Sequence, residues 1–506
     1  MEERKIAIVI GAGAAGISAA YSLPFDVKPI VIEADSVIGG LARTLNYDGL
    51  LADIGPHRFF TKDEKVMKFW EGVLPLQGKN AKDDILLNRY TDFKEGKADP
   101  EIDEKVFLRR RRFSRIYYKN KFFDYPVKMN LRTVLNLGIC QTMLCGFSYI
   151  KSMFVKRPES NLEDFMINRF GRTLYETFFE FYTQKVWGRH PKNISKEWGE
   201  QRIKGLSLLK TLLNKFLKSK ETSLVEEYFY PKYGAGQMWN EMAAVIKERG
   251  GEIRLNSKVV GFELDENKIV SVKIEDENGT YDLSADYFIS SMPVKELIQG
   301  IKSVPDNVKE IAEGLPYRDY QLVSFRVKDF NLKNSTDWAT INNICPDSWI
   351  YIQDRNVNVG RIYIPKNFSP YMCENIDDTL ICMEYFCDKG DKLWNMSDEE
   401  FIEFAKSEAV KLGLFNKEDV EEAVRIKILK AYPAYFGTYD EFDKVKEYLN
   451  KFDNLYCVGR NGQHRYNNMD HSMLTGIETA NNILNNIKTK TDIWNVNTEK
   501  EYHEKK

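Results

Sequence analysis

Residues 5–23 are KIAIVIGAGAAGISAAYSL, an apolar run, a glycine turn and a stretch of small residues. Ile6 to Ile10 form an unbroken apolar run, the pattern of a short strand buried on both faces. Gly11, Gly13 and Gly16 follow at GxGxxG spacing, and small residues then continue for a helical length. Gly11 makes the tight turn, Gly13 lets backbone approach a pyrophosphate, and Gly16 lets the helix lie close on the strand. Ala14 and Ala15 open that helix, whose unpaired N–H groups face the phosphates. A second strand in KPIVIEA ends at Glu33 and Ala34, where a carboxylate can hydrogen-bond an adenosine ribose. Strand, glycine turn, helix and acid in register predict a dinucleotide-binding unit rather than a bare turn.

The next segment, EADSVIGGLARTLNYDGLLADIGPHRFF at 33–60, bears on which dinucleotide. In a simple NAD site an ordinary helix follows the acid. Here Gly39, Gly40, Leu41, Ala42 and Arg43 follow instead. Glycines with an arginine suit the wrapping of a longer cofactor and the neutralising of its pyrophosphate. FAD is therefore the expected cofactor.

Working outward, residues 76 to 225 are mostly helical in pattern and rich in Lys, Leu and Phe. From Tyr228 a glycine turn, an amphipathic helix and alternating strands follow, ending in DYFISSMP at 286–293. Residues 301–430 alternate strand-like stretches with one charged helix near 398–412. The expected class is α/β: a two-dinucleotide-type FAD-binding Rossmann fold with a helical insertion and a mixed-sheet substrate domain. Its FAD-binding pieces are 1–75, 226–300 and 431–486; 76–225 is a helical substrate subdomain, 301–430 the mixed-sheet domain and 487–506 a polar tail.

Composition narrows the partners. The chain has 506 residues, 43% hydrophobic and 29% charged, enough for two or three globular domains. A net charge of −2 removes any global reason to bind nucleic acid. Arg109 to Arg112 is the one basic block and reads as a solvated surface, with an anion or membrane-surface site as the alternative. Seven cysteines show no CxxC pair and no zinc spacing, so no metal is expected. The odd count, with MEERKIAIVIGAG running straight into a strand, gives reduced thiols and a cytoplasmic location as the expectation. TVLNLGICQTMLCGFSYI at 133–150 is uncharged but diluted by Asn136, Gln141, Thr142 and Ser148. It reads as a buried or membrane-facing helix, with peripheral membrane contact left open.

Five further segments occur in order: DIGPHRFF (53–60), YTQKVWG (182–188), WGEQRIKGLSL (198–208), YPKYGAGQMW (230–239) and GRNGQHRYNNMDHS (459–472). With the acid, the paired glycines and Arg43, they make the chain resemble the flavin-containing amine oxidase and protoporphyrinogen oxidase superfamily. Within it the resemblance is to the UDP-galactopyranose mutase-like branch, over nearly the whole length. That resemblance implies a nucleotide-sugar mutase of cell-surface polysaccharide synthesis, interconverting pyranose and furanose forms. It implies reduced FAD, with NAD(P)H as one available reductant, acting through an N5 adduct at the anomeric carbon while UDP departs. The detached diphosphate must be held, which calls for cations and phenols at a buried site.

The same resemblance nominates residues. Arg460, after Gly459, matches an arginine beside flavin and diphosphate; Tyr466 matches a phenol near the phosphates, and Arg202 a substrate-side arginine. Gly55, Pro56 and His57 match the segment on the flavin, with the His57 backbone answering to flavin redox state. Asn468, Met469, Asp470 and Ser472 lie where the last helix begins, its N-terminus toward the flavin. Each has a plainer reading: Arg460 as a strand cap, Tyr466 as a satisfied core phenol, Arg202 as an interhelix ion pair, His57 as a neighbour without acid–base work. Tyr351 and Arg361, in WIYIQDRNVNVGRIYIP at 349–365, are diphosphate candidates or ordinary strand residues. Trp187 reads as a packing anchor and Lys185 as its solvated neighbour. Two departures stand out. The residue before Asp470 is usually Gln in that branch and is Met469 here, which removes a hydrogen-bonding amide. The Gly-Glu or Gly-Asp of amine oxidases is absent after Val458. The alternative function is an FAD-dependent oxidoreductase of the amine oxidase or desaturase type, taking a hydride from a small or isoprenoid substrate.

Overall fold

The computed structural model describes residues 4–93, 96–128, 130–196 and 227–497. Arg202 and the segment 198–208 lie outside them. A five-stranded parallel sheet has the order Leu455–Cys457, Tyr287–Ser290, Lys5–Ile10, Val27–Ile32, Glu252–Arg254. Strand alternation sorts its side chains. Ala7, Val9 and Val31 face helices Ala14–Ser22 and Met469–Leu484, in a core shared with Ala15 and Met473. Ile8, Ile10, Ile30 and Ile32 face the antiparallel sheet Lys258–Asp265, Lys268–Asp276, Gly279–Ser284, through Val259, Phe262 and Val272. Both faces are covered, which explains the near-continuous apolar strands.

Beyond this domain lies a seven-stranded sheet ordered Val420–Pro433, Tyr317–Val327, Thr379–Cys387, Arg361–Tyr363, Trp349–Ile352, Ser114–Tyr118, Lys121–Asp124. It is mixed because Trp349–Ile352 runs parallel to Ser114–Tyr118 while its other pairings are antiparallel. The charged helix is Asp398–Lys411, started by a Ser397–Glu400 capping box.

Three expectations change. Among the described residues of 76–225 the expected helical pattern does not hold throughout, because strands Ser114–Tyr118 and Lys121–Asp124 complete the mixed sheet. Lys119 and Asn120, at φ 49° and 58°, make the two-residue turn that twists this hairpin correctly. The 133–150 segment is not one helix. Gly138, at φ 84°, separates Leu131–Leu137 from Ile139–Phe154, and the two axes differ by 109°. The polar tail begins later than 487, since helix Thr491–Asn495 buries Ile493 and Trp494 against the cores on the two faces of the parallel sheet.

Candidate active site

The glycine turn is shaped for a close ligand. Gly11 has φ 97°, and a Cβ there would fall 2.3 Å from Ser291 Oγ. A Cβ on Gly40, at φ 54°, would meet the Gly13 Cα at 3.1 Å, so the two glycine motifs touch backbone to backbone. Helix Ala14–Ser22 has Gly13 as N-cap and no side chain capping its first turn. Glu33 accepts the Ala12 N–H at 2.6 Å and the Asp35 N–H at 2.8 Å, and burial raises its carboxyl pKa. Arg43 bridges to Asp35 at 2.8 Å, and its buried Nε has no hydrogen-bond partner among the described residues. Uncapped N–H groups, an orphaned guanidinium nitrogen and glycines too tight for any side chain fit the pyrophosphate and ribose of FAD. Ala14, Ala15, Ala34 and Ala42 line the same turns as small neighbours, and Gly16 is required because a Cβ would meet Gly11 O at 1.9 Å.

The third return of the chain closes this site. Gly459, at φ 75°, sits so close to Ala15 that a Cβ would lie 2.7 Å from the Ala15 Cβ. Asn468 caps helix Met469–Leu484, its N–H donating to His471 Nδ1 at 3.3 Å, and Ser472 is buried one turn in. Leu41, Gly55, His57, Asn468, Met469 and Asp470 all border one cavity of about 270 Å³, so both ends of the chain meet there.

The opposite wall is the mixed sheet. Antiparallel register sets Tyr351 across from Arg361 and Arg361 across from Glu384, so the three stand in one row on one face. Arg361 Nε donates to Glu384 Oε2 at 2.5 Å, and Nη2 to the Tyr432 hydroxyl at 3.0 Å. The Glu384 side chain is 1% exposed, and burial raises its pKa against the lowering pull of Arg361. Its Oε1 has no partner among the described residues, and a Cβ on Gly55 would lie 2.9 Å from it. Tyr351 stacks on Tyr125 with ring centres 4.4 Å apart. Burial pushes the Tyr432 phenol up to about 12, so it stays a hydrogen-bond donor at neutral pH.

Arg460 borders the cavity but is also built into the wall. It donates to Asn467 O at 2.8 Å and Ala431 O at 2.9 Å, and lies over the rings of Tyr466 (5.0 Å) and Tyr432 (5.5 Å), which stack on each other. His57 borders it too, with Nδ1 3.8 Å from Asp53. Asp53 is a buried hub, accepting from Thr44 (2.6 Å), Tyr230 (2.7 Å) and the Ala235 N–H (3.0 Å), and so fixes the Gly55–His57 turn.

The fold that carries these contacts is that of known flavoproteins. Residues 14–484 match the family model described as flavin containing amine oxidoreductase. The chain belongs to this family. A 15-cis-phytoene desaturase of Capsicum annuum is 22% identical over 440 residues, covering 84% of this chain and 67% of the relative. Among solved structures, a reduced UDP-galactopyranose mutase superposes with TM-score 0.76 at 20% identity, covering 98% of this chain and 99% of the other. A putative protoporphyrinogen oxidase of Exiguobacterium sp. 255-15 gives 0.65 at 14%, covering 96% and 99%. The family carries a flavin, and the α/β architecture with its mixed-sheet domain follows the same plan.

Two sequence readings are corrected here. Arg109 to Arg112 is a solvated face only in part: Arg109, paired with Glu227, and Arg111, 5.0 Å over Trp338, are exposed, whereas Arg110 is buried against Asp83 at 2.6 Å and Arg112 borders the cavity. Strand Phe107–Arg111 pairs with Glu227–Pro231, and its alternation buries Arg110 while leaving Arg109 and Arg111 outward. Lys185 is not solvated either. Its Nζ donates to Asp354 O (2.9 Å) and Val359 O (3.0 Å), and burial lowers its pKa to about 8. Trp187 is buried as expected, near Tyr466. Sequence reasoning missed Arg58, Arg112, Tyr125, Tyr432 and Glu384. For Glu384 the signal was a lone acid inside the apolar run LICMEYFC.

Proposed function

We propose that the protein is a flavin-dependent mutase of nucleotide-diphosphate sugars that interconverts pyranose and furanose forms. The observation that carries this reading is one cavity bordered by Arg58, Arg112, Arg361 and Arg460 together with a wall of tyrosines. Four guanidinium groups and several protonated phenols suit an anionic, hydroxyl-rich substrate, whereas a polyene would need an apolar lining. Arg361 is held by Glu384 and Tyr432, so it is positioned before any diphosphate arrives. Arg460 fixes the Asn467–Ala431 wall and offers its charge from behind the stacked tyrosines. Bound flavin in its reduced form supplies nucleophilic catalysis at the anomeric carbon. The chain's own contribution is to hold the leaving diphosphate, donate hydrogen bonds from Tyr432 and exclude water with Trp349 and Tyr351.

A second reading, an FAD-dependent oxidoreductase, is favoured by the desaturase relative and by Met469 at the cavity wall. One assay separates them. The purified holoprotein is reduced anaerobically and incubated with UDP-galactose, and sugar isomers are resolved by chromatography. Isomerisation by the reduced form only supports the mutase. Flavin bleaching by an amine or polyprenyl compound, without isomerisation, supports the oxidoreductase.

A further inference from the structure

Helices Leu131–Leu137 and Ile139–Phe154 are built inside out. Polar side chains point into the protein: Gln141 Nε2 donates to Thr177 Oγ1 at 3.4 Å, Ser148 Oγ accepts the Thr173 N–H at 3.1 Å, and buried Ser152 donates to Tyr149 O at 2.7 Å. Apolar ones point away. Ile139, Met143, Phe147, Ile150 and Phe154, three or four residues apart on one face, are 52% to 83% exposed. Leu131, Leu135, Leu144 and Val155 extend that face. The apolar area is on the order of 1,000 Å², where the largest patch of an ordinary monomer is a few hundred. No described residue covers it.

Charge identifies what does. Between Asp124 and Glu159 the chain has no acidic residue, yet it carries Lys128, Arg132, Lys151, Lys156 and Arg157. Arg157 is already paired with Asp164 at 3.0 Å, but Lys128, Arg132, Lys151 and Lys156 are exposed, and an apolar face with such a cationic rim matches an anionic bilayer surface, with side chains in the acyl region and ammonium groups among headgroup phosphates. Among the described residues no single helix is long and apolar enough to cross a membrane, and the 109° bend keeps this pair from acting as one rod. A second copy fits less well, because a two-fold contact would bring two cationic rims together.

We propose that residues 131–155 form an in-plane membrane anchor that docks the protein on anionic lipid. The cavity rim lies beside it: Tyr125, 40% exposed, borders the cavity just ahead of the anchor. This inference does not rest on which reaction the cavity performs.

The test is flotation of the full-length holoprotein with vesicles of phosphatidylcholine alone or mixed with phosphatidylglycerol. The expected result is flotation with the anionic vesicles, weakened by salt. Ile139→Glu and Phe147→Glu each reduce it about tenfold or more while flavin content and melting temperature stay unchanged. Absence of flotation overturns the proposal, as does flotation that ignores both substitutions. A fall in melting temperature on substitution also overturns it and assigns the face to cover within the chain. Conversion of a dimer to a monomer without vesicle binding assigns it to a second copy.

Discussion

Removing the Arg361 side chain should leave Glu384 as an unpaired acid in a buried place. The pair is a direct cross-strand couple, with Glu384 1% and Arg361 16% exposed. Breaking a buried pair from one side costs about 3–5 kcal/mol; because Arg361 borders the cavity, the lower end, about 3 kcal/mol, applies. An unfolding entropy of about 2.1 cal/mol/K per residue gives roughly 1 kcal/mol/K for this chain, so Arg361→Ala should melt about 3 °C lower if unfolding is cooperative. The deficit should depend on pH. Burial already raises the Glu384 carboxyl above 4.5, and Arg361 is the main group pulling it back. Without Arg361 it rises further. A raised carboxyl contributes stability that is present below the unfolded pKa and lost as pH rises through the folded value. The melting deficit should therefore be small near pH 5 and largest near pH 8, and adding Glu384→Gln should recover at least half of it. Scanning calorimetry of wild type, single and double variants at both pH values measures this. Equal deficits at the two pH values, or a double variant no better than Arg361→Ala, would refute the argument.

Four further outcomes follow from the geometry. Glu33→Ala removes the carboxylate, held by the Ala12 and Asp35 N–H groups, that would accept an adenosine ribose hydroxyl; losing a charged hydrogen bond of about 1.5–3 kcal/mol to that ribose should raise the Kd for FAD roughly 10–100-fold in a fluorescence titration. Gly459→Val adds both a strained φ of 75° and a 2.7 Å clash with Ala15, so the purified protein should lose most of its flavin. Gly390→Ala, at φ 99° with open space around it, should keep its flavin. Burial lowers the His464 imidazole to about 4, so the unfolded chain takes up its proton first; stability should fall between pH 6.5 and 4, and His464→Gln should flatten that part of a urea-denaturation profile.

Much of the cofactor half was legible because its constraints are local. Gly11, Gly13, Glu33 and Gly40 act within one βαβ unit, where spacing along the chain fixes spacing in space. The substrate half was only partly legible. Tyr351 and Arg361 belong to one short antiparallel pair, so their common face could be anticipated. Their third neighbour, Glu384, and the Tyr432 that completes the wall come from strands whose order no local pattern encodes. The same holds for Arg112 and Lys185, whose charges implied solvent until the pairing of distant segments enclosed them. Arg202 lies outside the described residues, so its assignment stays with the sequence.

The sheet order has a consequence for how the protein is made. Lys5–Ile10 is synthesised first and ends up near the middle of the parallel sheet, yet its neighbour Tyr287–Ser290 and the edge strand Leu455–Cys457 emerge much later. At about 5–20 residues per second, the first strand waits for tens of seconds with one side unpaired. Helix Ala14–Ser22 waits longer, because Gly476 is the residue that lets helix Met469–Leu484 close on it, where a Cβ would meet Ala15 O at 2.4 Å. A cell producing this chain therefore has a long interval in which an apolar strand edge is open, and holding chaperones or early flavin would act on that interval rather than on the finished fold.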